Sequence, residues 1–146
     1  MREPAYYILN LVASDGAQAL PRNQATLLLR RGMCGIDARE RHRGALAAGD
    51  LVLVYAGAPM REFIGRAELA SAVHDWSASE AEMYPGECSA GVLLAHVEEW
   101  DPPVPMSAVL SEIDSPTARA DFAAGVVRIS AREYEAALAV AARLSD

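Results

Sequence analysis

Residues 46–71, LAAGDLVLVYAGAPMREFIGRAELAS, read as two strands of a small barrel with a polar mouth between them. Gly49-Asp50 is a turn signal, and Leu51-Val52-Leu53-Val54-Tyr55 is apolar without alternation, the pattern of a strand buried on both faces. Ala56-Gly57-Ala58-Pro59 breaks the run. A second extended segment, Phe63 to Leu69, carries Gly65 in its interior, where a bulge or a close backbone approach would relieve crowding. A strand pair with an interior glycine suits a curved sheet.

Working outward, 146 residues with 52% hydrophobic content are enough to bury one core, and the working expectation is a single domain over 1–146. No window approaches the roughly 20 apolar residues of a membrane span, and the opening MREPAYYILN lacks a charged n-region followed by an apolar h-region. The expectation is a soluble, cytoplasmic protein with no membrane partner. Cys34 and Cys88, the two cysteines, sit in unlike contexts, so neither a disulfide framework nor a four-cysteine zinc site is available.

The net charge of −7 argues against an indiscriminate polyanion binder, because such binding needs many phosphate contacts. The charge is uneven, however. Between Arg22 and Arg43, six arginines face only Asp37 and Glu40, a local net of +4 that leaves −11 on the rest. The chain has no lysine, so every permanently basic side chain is a guanidinium, suited to bidentate phosphate contacts or to stacking on a base. An arginine-rich coding bias explains the missing lysines equally well.

Ala5 to Val12 reads as a first strand with Asn10 as its polar outlier, ended by Ser14-Asp15-Gly16. Pro21 and Gly32 bracket a short helix over Arg22 to Arg31. Met33-Cys34-Gly35-Ile36 follows, then a polar, partly helical Asp37 to Leu46. Val73 to Ser89 lacks an apolar period and reads as a long loop with room for one helical turn, a type of segment that is often functional. Gly91 to Glu98 is a further strand, with Asp101-Pro102-Pro103-Val104-Pro105 as its exit. Short helices are expected over Ser107 to Ile113 and Pro116 to Phe122, and a strand over Val126 to Ile129. Ser130-Ala131-Arg132-Glu133 is a capping box, and Tyr134, Ala137, Leu138 and Val140-Ala141 form the apolar stripe of the helix behind it. The fold class is α+β, a curved sheet or open β-barrel of five to six strands with short peripheral helices.

In order along nearly the whole chain, several pieces resemble an EVE domain of the PUA-like superfamily, a relative of the YTH and ASCH domains. They are Tyr6-Tyr7-Ile8-Leu9-Asn10, Gly35-Ile36, the run from Leu46 to Tyr55, Phe63-Ile64-Gly65-Arg66-Ala67, the exit with Val104-Pro105, and the ending Gly125 to Tyr134. No single piece is diagnostic; the ordered set carries the resemblance. It implies a non-catalytic binding module that takes a modified base of DNA or RNA, flipped out of its stack, into a pocket at the barrel mouth. Aromatic faces would stack on the base, polar groups read its edge, and arginines hold the flanking phosphates. Where the family often has a tryptophan before the Gly-Val/Ile pair, this chain has Met33 and Cys34. ASCH-type amidohydrolases use a lysine, which this chain lacks, so that chemistry does not carry over.

The base-binding candidates are Asn10, Ile36, Tyr55, Trp76 and Tyr84. Asn10 could read a base edge through its amide or simply cap a turn. Tyr55 resembles the family's mouth aromatic; the alternative is a core tyrosine. Trp76, amid His, Asp and Ser, is the best stacking candidate, with a loop anchor on the barrel as its other reading, and Tyr84 is similar. Trp100 reads as a structural plug, and Arg30 and Arg31 as ordinary helix-end charges. Arg39, Arg41, His42 and Arg43 are the phosphate-clamp candidates, against a plain solvated face. His74-Asp75 lacks a credible nucleophile, and His74, Asp75, Glu80 and Glu82 have no recognised metal spacing, so neither catalysis, nor a metal, nor a cofactor is expected. The other readings are a pocket for a free small molecule, such as a nucleotide or modified nucleoside, and a protein-interaction subunit.

Overall fold

A computed structural model describes residues 3–11, 22–36, 43–56, 61–84, 88–113 and 126–144, with side chains of the first helix from residue 25 onward. Along the chain these form β1 (Tyr6–Asn10), α1 (Arg22–Arg31), β2 (Met33–Gly35), a 3-10 turn (Arg43–Ala45), β3 (Leu51–Ala56), β4 (Glu62–Leu69), β5 (His74–Asp75), α2 (Ala78–Met83), β6 (Ala90–Pro105), α3 (Met106–Leu110), β7 (Val126–Ile129) and α4 (Ala131–Leu144).

The strands make one mixed sheet in the order β2-β6-β4-β3-β1-β7, with β5 also on β6. Only β1 and β3 run parallel. The uninterrupted apolar run of β3 is explained by its position, since it has a core on each face. Val52, Val54 and Ala56 join Tyr7, Leu9, Leu28, Leu29 and Met33 beneath α1. Leu53 and Tyr55 join Ile8, Phe63, Val109, Tyr134, Ala137 and Val140 beneath α3 and α4. The architecture is an α+β curled half-barrel with short helices around it, as the sequence indicates.

Bulges supply the curl. The pairing of β3 with β4 slips between Val54 and Tyr55, opposite Gly65, and a Cβ at Gly65 would lie 2.3 Å from the Glu98 carbonyl of β6. The interior glycine therefore marks both a bulge and a close approach. Before β3, Asp50 is fully buried and accepts from the N–H of Ala5 (3.0 Å) and the N–H of Ala47 (3.1 Å), tying the start of β1 to the turn before β3. The capping box at the other end is formed as read: Glu133 N–H donates to Ser130 Oγ (3.1 Å) and Ser130 N–H to Glu133 Oε1 (3.0 Å).

Two expectations need correction, and one unassigned segment gains a structure. Met33–Gly35, left without a type in the sequence, is a strand paired with Val92 and its neighbours. The long loop over 73–89 contains β5 and α2, and α2 begins at a second capping box, Ser77 with Glu80, which the sequence carries but which has no apolar run behind it to announce a helix. The last strand before α3 does not end at the prolines. Between Glu99, opposite Gly65, and Val104, opposite Phe63, β6 has more residues than β4, and Pro102 and Pro103 occupy this unpaired excess, where no ladder N–H is needed. The helix expected over 116–122 lies outside the described residues.

Candidate functional site

The first four residues of β6 have β2 on one side and β5 on the other, and Gly35 sits directly opposite Gly91. Two aromatic rings cover this glycine pair. A Cβ at Gly35 would fall 2.1 Å from the Tyr84 hydroxyl, and one at Gly91 would fall 2.6 Å from the six-membered ring of Trp76. The two rings lie 5.4 Å apart at 38°, and the ring of His74 meets Trp76 edge-on at 5.6 Å and 89°. Trp76 is half-buried against the α1-side core, and Tyr84, Ile36 and Cys88 are buried beside it. Glycines are what this packing requires, because any side chain would displace an aromatic ring.

Hydrogen bonds hold the segment that carries the rings. Trp76 N–H donates to the Ser89 carbonyl and Ile36 N–H to the Ala90 carbonyl, each at 3.0 Å. Tyr84 caps the end of α2 through its N–H on the Glu80 carbonyl, and Arg31 from the end of α1 donates to the Met83 carbonyl. Arg31 is thus more than a helix-end charge. Arg30 pairs in turn with Glu99 of β6 at 2.7 Å. The indole Nε1 of Trp76 is buried and has no hydrogen-bond partner among the described residues.

Burial, followed by the neighbouring Cys88, pushes the Cys34 thiol up to about 12, so the reactive thiolate is suppressed. Burial and then the two cysteines raise the Tyr84 phenol. His74 is raised by the Ala72 carbonyl and then by Glu80. Among the described residues, no three His, Cys, Asp or Glu side chains are placed to hold a metal ion.

The five predicted base-binding residues are not brought to one place. Ile36, Trp76 and Tyr84 meet on the α1 side of the sheet. Tyr55 lies in the other core, 2% exposed, its ring 5.0 Å from Phe63 and its hydroxyl 3.1 Å from Met106 Sδ. Asn10 is the register partner of Tyr55 and, alternating with Leu9, shares the face of Ile8, so it too lies across the sheet from Trp76. Of the clamp candidates, Arg43 is half-buried in the 3-10 turn, while Arg39, Arg41 and His42 fall outside the described residues. Trp100 packs against the α4-side core as expected. Sequence reasoning missed Gly35, Gly91 and His74 as parts of the aromatic cluster; Ser77-x-x-Glu80 was the available signal, since it fixes the turn that brings His74 and Tyr84 to either side of Trp76.

No protein-family model matches the sequence, and no curated protein is detectably similar to it. Solved structures are similar in fold over nearly the whole chain. A hypothetical protein from Leishmania major matches 99% of this chain and 98% of its own at 17% identity and a TM-score of 0.67. Human THYN1 protein, in complex with 5-methylcytosine containing DNA, matches 94% and 97% at 8% identity and a TM-score of 0.63. ASCH from Zymomonas mobilis matches 92% and 94% at 13% identity and a TM-score of 0.54. The chain has the PUA-like fold of the EVE and ASCH domains. Within this PUA-like half-barrel, the aromatic cluster occupies the edge where β2, β5 and the start of β6 meet.

Proposed function

We propose that this protein is a non-catalytic binder of nucleic acid that takes a modified, flipped-out base of DNA or RNA against the Trp76–Tyr84 cluster. The observation that carries this reading is the fold shared over 94% of the chain with human THYN1, whose structure is a complex with 5-methylcytosine containing DNA. The cluster supplies what such a role needs. A half-buried indole offers a face for stacking, and buried Ile36 closes the apolar wall. Arg43, with Arg39, Arg41 and His42 in the same basic segment, provides the phosphate contacts. The suppressed Cys34 thiol and the missing lysine favour binding over catalysis.

The test is a fluorescence titration of the Trp100→Phe variant, in which Trp76 is the sole indole. Short single-stranded oligonucleotides with plain or 5-methylated cytosine are added at low and moderate salt. Quenching that prefers the methylated oligonucleotide, strengthens with length and weakens with salt is the expected result. Silence toward every oligonucleotide, with a response to a free modified nucleoside, would reassign the cluster to a small-molecule pocket.

A further inference from the structure

On the opposite side of the sheet, two clefts of about 380 Å³ and 270 Å³ share Arg66 and Glu98 and so form one trough along α4. Leu51, Trp100, Leu138 and Ala141 give it an apolar floor. Its middle is neutralised: the Arg66 guanidinium is held 2.7 Å from Glu98 and against the Tyr134 phenol, and Trp100 Nε1–H donates to Glu98 at 3.3 Å. Its ends are not. Glu68 lines one cleft and Asp101 the other, and neither has an ion-pair partner among the described residues. Glu68 is opposite Ala95, and Asp101 lies further along the same strand, so the two carboxylates stand roughly 15 to 20 Å apart.

We propose that this trough is a second binding site, for an extended, arginine-bearing segment of a partner protein. Charge complementarity selects the occupant. Two uncompensated carboxylates that far apart match cationic side chains spaced along about five or six extended residues. The apolar floor favours aliphatic side chains between the basic ones. A nucleic acid is excluded from this face by the same carboxylates, so the trough leaves the Trp76 cluster free for its own ligand and stands without reference to it.

The test is fluorescence anisotropy of the intact protein with fluorescein-labelled Arg-Leu-Arg-Leu-Arg-Leu. Saturable binding is expected, weakened about tenfold by the double variant Glu68→Gln, Asp101→Asn. Ala142→Trp, which fills the trough from the exposed side of α4 without altering charge, should weaken it at least as much, while Trp76→Ala leaves it unchanged. Wild-type affinity in Ala142→Trp would mean diffuse attraction to an acidic protein and overturn the site. So would displacement of the peptide by equimolar spermine, which would make it a site for a small cation. A sedimenting mass that doubles with concentration and returns to monomer in Ala142→Trp would give the trough to a second copy of the chain instead.

Discussion

His74 Nε2 lies 3.2 Å from both carboxylate oxygens of Glu80, while the same carboxylate accepts the Ser77 N–H at 2.8 Å. One side chain therefore caps α2 and anchors the imidazole that meets Trp76 edge-on. On the other ring nitrogen, Nδ1 faces the Ala72 carbonyl at 3.2 Å. Two acceptors on two nitrogens favour the doubly protonated ring.

The pH dependence of this pair follows from the two directions. The Ala72 carbonyl and then Glu80 hold His74 above its ordinary value of 6.5, so its contribution is complete below that value and is lost as pH rises through the raised one. The Ser77 N–H and then His74 hold Glu80 below 4.5, so its contribution is present above that value and is lost as pH falls through the lowered one. The segment over α2 is expected to be tightest in the mildly acidic range between these limits. An NMR titration of the His74 ring should show a raised pKa that falls part of the way back in Glu80→Gln, the Ala72 share remaining. An unmoved value would show that Glu80 does not hold the ring.

Gly91→Ala is expected to destabilise the protein by about 1–3 kcal/mol, as overpacking does. Its Cβ would meet the Cys34 carbonyl at 2.2 Å, and that backbone cannot yield without breaking the β2–β6 pairing. Gly44→Ala, with no atom of the described residues within 4 Å of the new one, is the control and should stay within about 0.5 kcal/mol. Urea midpoints of the two variants decide the matter; equal midpoints would show that the glycine pair is not constrained by its cover.

Asp50→Asn keeps the shape but turns one acceptor into a donor facing a backbone N–H of Ala5 or Ala47. The loss of charge-assisted bonds at a fully buried site predicts about 1–3 kcal/mol of destabilisation, visible as a lower Tm. A Tm equal to that of the parent protein would show that the start of β1 is held by strand pairing alone.

For the base-reading role, Trp76→Ala should cost about 1–3 kcal/mol of oligonucleotide affinity if the indole stacks on a base. The variant's fold is checked by near-ultraviolet circular dichroism, because Trp76 also covers Gly91. Charge reversal of Arg41 and Arg43 should reduce the slope of log affinity against log salt by about 1 to 2. A slope identical to wild type would remove these arginines from the phosphate contacts.

Local patterns made much of the fold legible. The double-sided apolar run of β3, the interior Gly65, the Ser130–Glu133 box and the helix over Arg22–Arg31 are each set by neighbouring residues, and each stands where the sequence places it. The path of β6 through Pro102 and Pro103 was not legible, because a proline is tolerated in a strand only where the partner strand makes no demand, and that depends on the register with β4. The site was legible by residue type but not by face. Asn10 and Tyr55 have the chemistry of a base pocket, yet strand alternation and the parallel pairing of β1 with β3 turn them together toward α3 and α4. Ile36 joins Trp76 and Tyr84 from a distant part of the sequence, because Gly35 and Gly91 meet in register under the two aromatic rings. Propensity and capping act within a few residues, so the chain carries them in plain view; the side of a sheet on which a residue arrives is fixed only when distant strands choose their register.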